Sequence, residues 1–257
     1  MGFLAVLKWV RRFTPAAGLF CVACVKNETP GDSSGEAGVL PHLCAAEIAA
    51  GASHSCARAT DGRIWCWGSN ENGQLTGSDY PKAVAAPREV TGLPAPAVRV
   101  SAGCDNTCAE LQDGSLWCWG SNKSGQLGTG TSAASSAVPV RIEGIQGPLR
   151  SVAMNCTTEQ PLNWELPPVE SHYICAVKSD GSTWCWGAGR HGVFGDGQLD
   201  AVPTATPVRV KGLDVDAAQV SAGEYHACAR AGGAVVCWGA NGMGGVGPPP
   251  GRQPGCP

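Results

Sequence analysis

Charge is scarce in this chain and nowhere clustered. Only 15% of the 257 residues are Asp, Glu, Lys or Arg, and the formal net charge is -3. Neutralising a nucleic-acid backbone takes gathered Lys and Arg. No basic run is present, so nucleic acid is not an expected partner. Catalytic signatures are equally thin: no Ser, His and Asp arrangement stands out, and no carboxylate pair has a placement argument behind it. No cofactor, catalytic residue or metal-ligand set is therefore expected. Long helical patterns are missing too. Thirty-six Gly and nineteen Pro beside 43% hydrophobic residues suit many short strands joined by turns, which makes the expected class all-β.

Cysteine is abundant instead. Fourteen Cys, most at regular positions, are expected as disulfides in an oxidising compartment. The N-terminus agrees with export, because Lys8, Arg11 and Arg12 precede Phe13 to Cys24, an apolar stretch too brief to span a bilayer. Residues 1–24 read as a signal peptide. Within it, Leu19-Phe20-Cys21-Val22-Ala23-Cys24 resembles a bacterial lipobox, in which the final cysteine, here Cys24, is lipidated after cleavage. Cys21 stands where that pattern prefers Leu. The pair Cys21-x-x-Cys24 also has redox or zinc spacing, but no second ligand pair follows. Residues 25–43 are polar and rich in Gly and Ser, as in a flexible tether.

From residue 44 onward the chain repeats itself. Trp65-Cys66-Trp67-Gly68 recurs as Trp117-Cys118-Trp119-Gly120 and Trp184-Cys185-Trp186-Gly187, and with one change as Val236-Cys237-Trp238-Gly239. A second cysteine precedes each motif, at Cys56, Cys108, Cys175 and Cys228. Repeats are expected at about 44–95, 96–147, 148–215 and 216–247, followed by a Pro/Gly-rich tail, 248–257. Between the paired cysteines sit Asp61-Gly62, Asp113-Gly114 and Asp180-Gly181, and in the last copy Gly232-Gly233.

If Cys56 faces Cys66 across an antiparallel hairpin, counting inward leaves a three-residue loop, 60–62, with Gly in the left-handed position such loops need. Copies two and three count the same. In the fourth the cysteines are nine apart rather than ten, and counting inward leaves a two-residue Gly-Gly turn, so the shorter turn preserves their opposition. Opposed positions put Cα atoms roughly 4.5 to 5.5 Å apart, within reach of a disulfide. Four hairpin disulfides are expected: Cys56–Cys66, Cys108–Cys118, Cys175–Cys185 and Cys228–Cys237. On the central strand the two tryptophans share one face while Ile64 and Cys66 share the other, so both faces are apolar and a stack of sheets is expected. An entry strand (Val98–Gly103, Gln219–Gly223) and an exit strand (Pro139–Ile142, Pro207–Val210) complete four strands per repeat.

The Ser-Ala-Gly entry, the His-x-Cys-Ala strand, the Asp-Gly turn and Gly120-Ser121-Asn122-Lys123-Ser124-Gly125-Gln126-Leu127-Gly128 resemble the regulator-of-chromosome-condensation repeat over roughly residues 44–247. That resemblance implies a β-propeller of four-stranded blades, usually seven to the ring. Four recognisable repeats, the last running into Gly247-Pro248-Pro249-Pro250 without an exit strand, leave a fragment, a smaller ring, an open arc or half of an assembly open, with self-association expected if the ring is incomplete. The resemblance also implies two kinds of role. One is a secreted, protein-binding one; the other is an exchange factor for a small GTPase on chromatin. The second fits poorly with this cysteine content and the missing basic tail. The leading expectation is a non-enzymatic scaffold at the cell envelope or outside the cell that presents loops to another macromolecule. An enzyme acting on carbohydrate is the alternative, and its marker would be acidic residues gathered from several blades.

Several features invite sharper readings. Gly187-Ala188-Gly189-Arg190-His191-Gly192 matches a dinucleotide fingerprint literally, yet no helical pattern follows, so repeat turn glycines are the better reading. His54 and His226 share a repeat position that Asn106 and Tyr173 fill elsewhere, as structural residues rather than ligands would. Cys104 and Cys156 share a register in neighbouring repeats, and an inter-repeat disulfide competes with pairing to Cys44 or Cys256. The third repeat carries about fifteen extra residues before Cys175, with Leu162, Trp164 and Leu166 among Glu159, Glu165 and Glu170. Insertions in repeat arrays map to loops on one face, often the binding face. These three apolar residues form a candidate anchor, or else a loop that buries its own Trp.

Overall fold

The computed structural model describes residues 44–77, 81–131, 133–155, 157–159, 169–199, 203–213, 216–242 and 244–247. The expected signal peptide, tether and tail fall outside these residues, as do Cys24, Cys156, Leu162, Trp164, Leu166 and Cys256.

All regular structure among the described residues is β. Blade 1 comprises β1 (Ala45–Ala50), β2 (His54–Ala59), β3 (Ile64–Ser69) and β4 (Ala83–Glu89), antiparallel and in that order. Blade 2 repeats the arrangement with β5 (Ala97–Ala102), β6 (Asn106–Leu111), β7 (Leu116–Ser121) and β8 (Ser135–Arg141). In blade 3, β9 (Leu149–Met154) is followed by a separate ribbon of β10 (Thr157–Glu159) and β11 (Val169–Ser171). The blade then continues with β12 (Tyr173–Lys178), β13 (Thr183–Gly187) and β14 (Thr204–Arg209). Blade 4 has three strands among the described residues: β15 (Ala217–Ala222), β16 (His226–Ala231) and β17 (Ala234–Gly239).

The central hairpins have the register that the cysteine spacing predicts. Cys56 pairs with Cys66, Cys108 with Cys118, Cys175 with Cys185 and Cys228 with Cys237. In blade 1 the Ala59 N–H donates to the Arg63 carbonyl at 2.8 Å, closing a three-residue turn over 60–62 in which Gly62 has φ +86°. Hydrogen-bonded and open pairs alternate along an antiparallel ladder, so the 56–66 pair is an open one, where side chains approach most closely. A disulfide joins each of the four pairs, with Cα atoms 4.0 to 4.1 Å apart. The fourth turn is Gly232-Gly233 with φ +57° and +85°, the two left-handed residues of a primed hairpin turn.

The glycine ending each Trp-Cys-Trp-Gly motif has a steric reason. A bulge lies beside it, between Cys66 and Gly68 in blade 1, where Gly68 takes φ +105°. A Cβ there would lie 2.5 Å from the Ser53 carbonyl oxygen and 2.7 Å from the His54 Cα. Only a residue without a side chain fits.

Blades stack in chain order through faces of two kinds. The cystine face of blade 1 (Cys56, Ile64, Cys66) packs on Val100, Ala109 and Trp119 of blade 2. The cystine face of blade 2 (Cys108, Leu116, Cys118) packs on Ile174, Ala176 and Trp186 of blade 3. Cys175 and Cys185 of blade 3 pack in turn on Val220, Ala229 and Trp238 of blade 4. One polar contact recurs at these junctions. The second tryptophan of the motif donates its indole N–H to a loop carbonyl of the preceding blade: Trp119 to Gln74 at 2.9 Å, Trp186 to Gln126 at 2.9 Å, and Trp238 to Val193 at 2.8 Å.

Candidate binding surface

Strand direction sorts the connections onto two ends of the blades. Tight hairpin turns such as 60–62 and the links between blades lie at one end. The opposite end carries the first-to-second strand loops (51–53, 103–105, 223–225), the base of the blade 3 insertion, and the described parts of the third-to-fourth strand loops (70–77, 81–82, 122–131, 133–134, 188–199, 203). This second end is the loop-rich face.

Its loops are held by their own side chains. Asn70 Oδ1 accepts the Leu75 N–H at 2.9 Å, and Gln74 Oε1 accepts the Asn72 N–H at 2.9 Å. Blade 2 repeats both bonds, Asn122 with Leu127 at 2.9 Å and Gln126 with Ser124 at 2.8 Å. Blade 4 keeps the first through Asn241 and Val246 at 3.0 Å. The motif Asn and Gln thus shape a rigid loop rather than reach for a ligand. Between the loops of blades 2 and 3 an open depression of about 530 Å³ is lined by Lys123, Ser124, Gly130, Thr131, Pro203 and Ala205.

The insertion rises from this end. Its ribbon pairs Thr157 with Ser171, Thr158 with Glu170 and Glu159 with Val169, and its base is tied on both sides. The Asn155 N–H donates to the Tyr173 carbonyl at 2.8 Å, and Asn155 Nδ2 donates to the Glu224 carbonyl of blade 4 at 3.0 Å. Tyr173 Oη lies 2.9 Å from the Gly223 carbonyl and 2.7 Å from that of His226, and burial pushes its phenol well above the ordinary value. The insertion therefore starts from a fixed platform, while Leu162, Trp164 and Leu166 lie in the undescribed part of it.

The residues that looked chemically tempting have packing roles where they are described. His54 is buried between blades 1 and 2, its Nε2 2.9 Å from Thr107 Oγ1, and the Thr107 hydroxyl donates to the Gln74 carbonyl at 3.0 Å. Burial holds the His54 imidazole below its ordinary value, with Asp105 opposing. The glycine-rich stretch 187–192 runs from the end of β13 into a loop, with no helix after it among the described residues. Glu110 reaches into blade 3, where its Oε1 accepts the Leu149 N–H at 2.6 Å and its Oε2 lies 3.2 Å from Arg99. Among the described residues, no three His, Cys, Asp or Glu gather as a metal site. Cys44 and Cys104 are disulfide-bonded.

Stacked four-stranded antiparallel blades, joined in chain order with a recurring tryptophan contact, define a repeat protein of the β-propeller type. Two models described as the regulator of chromosome condensation (RCC1) repeat match, one at residues 45–74, 97–126 and 217–244, the other at 61–109, 113–157 and 180–230. The chain belongs to the RCC1 repeat family. Among curated relatives, human Protein RCC2 is 43% identical over 93 residues, covering 35% of this chain and 17% of that protein. The Arabidopsis thaliana ultraviolet-B receptor UVR8 is 28% identical over 204 residues, covering 78% of this chain and 42% of the receptor. Human E3 ubiquitin-protein ligase HERC2 is 28% identical over 228 residues, covering 86% of this chain and 4% of the ligase. The chain thus spans less than half the length of each. Among solved structures, human WBSCR16 superposes with a TM-score of 0.61 at 20% identity, covering 80% of this chain and 50% of that one. Prp20p from Saccharomyces cerevisiae gives 0.56 at 23%, covering 70% and 42%. These likenesses establish the fold.

Proposed function

We propose that this chain is an exported, non-enzymatic binding module that captures another protein with the loop-rich end of its blades. The observation that carries the reading is the base of the third-blade insertion, tied at that end through Asn155 and Tyr173, and the sequence between its two strands contains Leu162, Trp164 and Leu166. Aromatic anchors ringed by polar residues concentrate binding energy in protein interfaces. The family resemblance favours a protein partner as well: Prp20p is described by its binding to Gsp1p and histones. Hairpin disulfides in every blade suit an oxidising compartment, and the lipobox-like segment supplies an anchor at Cys24.

Capture from the producing cell's envelope and culture medium, with disulfides intact, tests the reading. A specific protein retained by the parent chain and lost with Trp164→Ala at unchanged thermal stability supports it. Undiminished capture with a lowered unfolding midpoint means that Trp164 is buried in its own loop. Fractionation after labelling with a lipid precursor tests the anchor, since Cys24→Ser should abolish the label.

A further inference from the structure

Two faces of the blade array lack a neighbour among the described residues, and they are of the two kinds that meet at each internal junction. On blade 1 it is the tryptophan face. Ile48 there is 78% exposed, whereas Val100 and Val220 at the same repeat position are each 4% exposed beneath the preceding blade. Ala45 is likewise exposed where Ala97, Leu149 and Ala217 are buried. On blade 4 it is the cystine face. Val235 is 71% exposed, whereas Ile64 and Leu116 at its position are each 1% exposed beneath the following blade.

The recurring hydrogen bond leaves a matching pair of unused groups. Each junction joins the second motif tryptophan to the carbonyl at one fixed position of the preceding blade's loop, residues 74, 126 and 193. By the repeat alignment, the remaining tryptophan is Trp67 on blade 1 and the remaining carbonyl is that of Gly245 on blade 4. Among the described residues neither has a hydrogen-bond partner.

We propose that the chain associates head to tail with a second copy of itself. The tryptophan face of blade 1 in one copy seats on the cystine face of blade 4 in the other, and Trp67 Nε1 donates to the Gly245 carbonyl. A second copy is the fitting occupant because this chain already joins the same two faces three times, in the same order and with the same polar contact. The contact is heterologous, so it extends or closes according to its angle. It is also smaller than the internal junctions. At the blade 1 and 2 interface Val84 and Val90 add apolar surface from β4 and the residue after it, and blade 4 has no described fourth strand to do the same. Association should therefore depend on concentration.

Light scattering on the full 257-residue chain with three variants tests this. Ile48→Asp spoils the blade 1 face and Val235→Asp the blade 4 face, and both side chains are mostly exposed, so folding should survive. The parent chain is expected to gain mass as concentration rises, while each variant alone stays monomeric. An equimolar mixture of the two variants should form a one-to-one dimer and nothing larger, because each supplies the face the other lacks. Trp67→Phe, which removes only the indole donor, should weaken association roughly two- to tenfold, and it carries the test should an aspartate variant fail to fold. A parent chain monomeric throughout, a variant that still dimerises alone, or faces occupied only by a foreign protein would each overturn the proposal. None of these substitutions lies in the loops of the proposed capture surface, so either reading can fail without the other.

Discussion

Replacing the same motif tryptophan by alanine in two blades should give two different stability losses. Trp119 is fully buried at the junction of blades 1 and 2, with its indole bonded to the Gln74 carbonyl. Truncating a buried side chain of this size costs about 3–5 kcal/mol through lost apolar burial and the cavity left behind. The lost hydrogen bond adds little, because the Gln74 carbonyl keeps the Thr107 hydroxyl as a donor. Trp67 holds the same position in blade 1 but is half-buried and, among the described residues, has no preceding blade over it. Its truncation opens no enclosed cavity and should cost about 1 kcal/mol, from partial apolar burial. The difference, of the order of 3 kcal/mol, corresponds to a separation of roughly 1 M in urea midpoint for a domain of this size. Urea unfolding of dilute, oxidised protein followed by far-ultraviolet circular dichroism measures it, dilution keeping association out of the comparison. Equal losses for Trp67→Ala and Trp119→Ala would refute the view that neighbouring blades set the environment of this residue.

Non-reducing peptide mapping should recover the four hairpin pairs. It should also join Cys104 to Cys156 rather than to Cys44 or Cys256. Replacing Cys108 and Cys118 together by Ser should lower stability by about 3 kcal/mol, the chain-entropy value for a loop of this length, and calorimetry under oxidising conditions reads the loss. Thr76 is a buried, β-branched residue at φ +68°, where the other blades carry Gly128, Gly195 and Gly247. Such a residue is strained there, so Thr76→Gly should stabilise the protein by about 1 kcal/mol, seen as a raised unfolding midpoint. Burial makes His54 harder to protonate in the folded chain, whereas the unfolded chain takes up a proton below its ordinary value of 6.5. Its contribution to stability is therefore full above that pH and falls as the solution is acidified through it. His54→Asn, the residue that blade 2 carries as Asn106, should flatten that part of the stability–pH profile, and an unchanged slope would assign the dependence to other groups.

The hairpins were legible because their determinants are local. Cysteines ten apart around Asp-Gly, or nine apart around Gly-Gly, fix both turn type and opposition, and no distant contact alters that spacing. The apolar character of both sheet faces was legible for the same reason. The direction of stacking was not, since nothing in one repeat says that its cystine face meets the next blade rather than the previous one. The junction hydrogen bonds were hidden more deeply, because their acceptors are main-chain carbonyls. Gln74, Gln126 and Val193 serve equally, so the side chain at that position carries no signal. The ribbon of β10 and β11 also escaped notice, because two three-residue strands separated by nine residues make no alternating pattern long enough to detect.

One signal at the junctions was available in the sequence, in the blade that departs from the motif. The first tryptophan of each motif finds its partners within its own hairpin. Trp117 Nε1 donates to Ser115 Oγ at 2.8 Å and Trp184 Nε1 to Ser182 Oγ at 3.0 Å, while Trp65 has the Arg63 guanidinium 5.6 Å over its ring. The second tryptophan depends on the preceding blade. In blade 4 the turn is one residue shorter and carries neither Ser nor Arg, so the first position has no local partner to offer an indole, and it is Val236. The second position still faces blade 3, and Trp238 keeps its bond to Val193. Both positions pack against the preceding blade, but the substitution separates the two tryptophans by their polar contacts, the first held within its own hairpin and the second bonded across the junction.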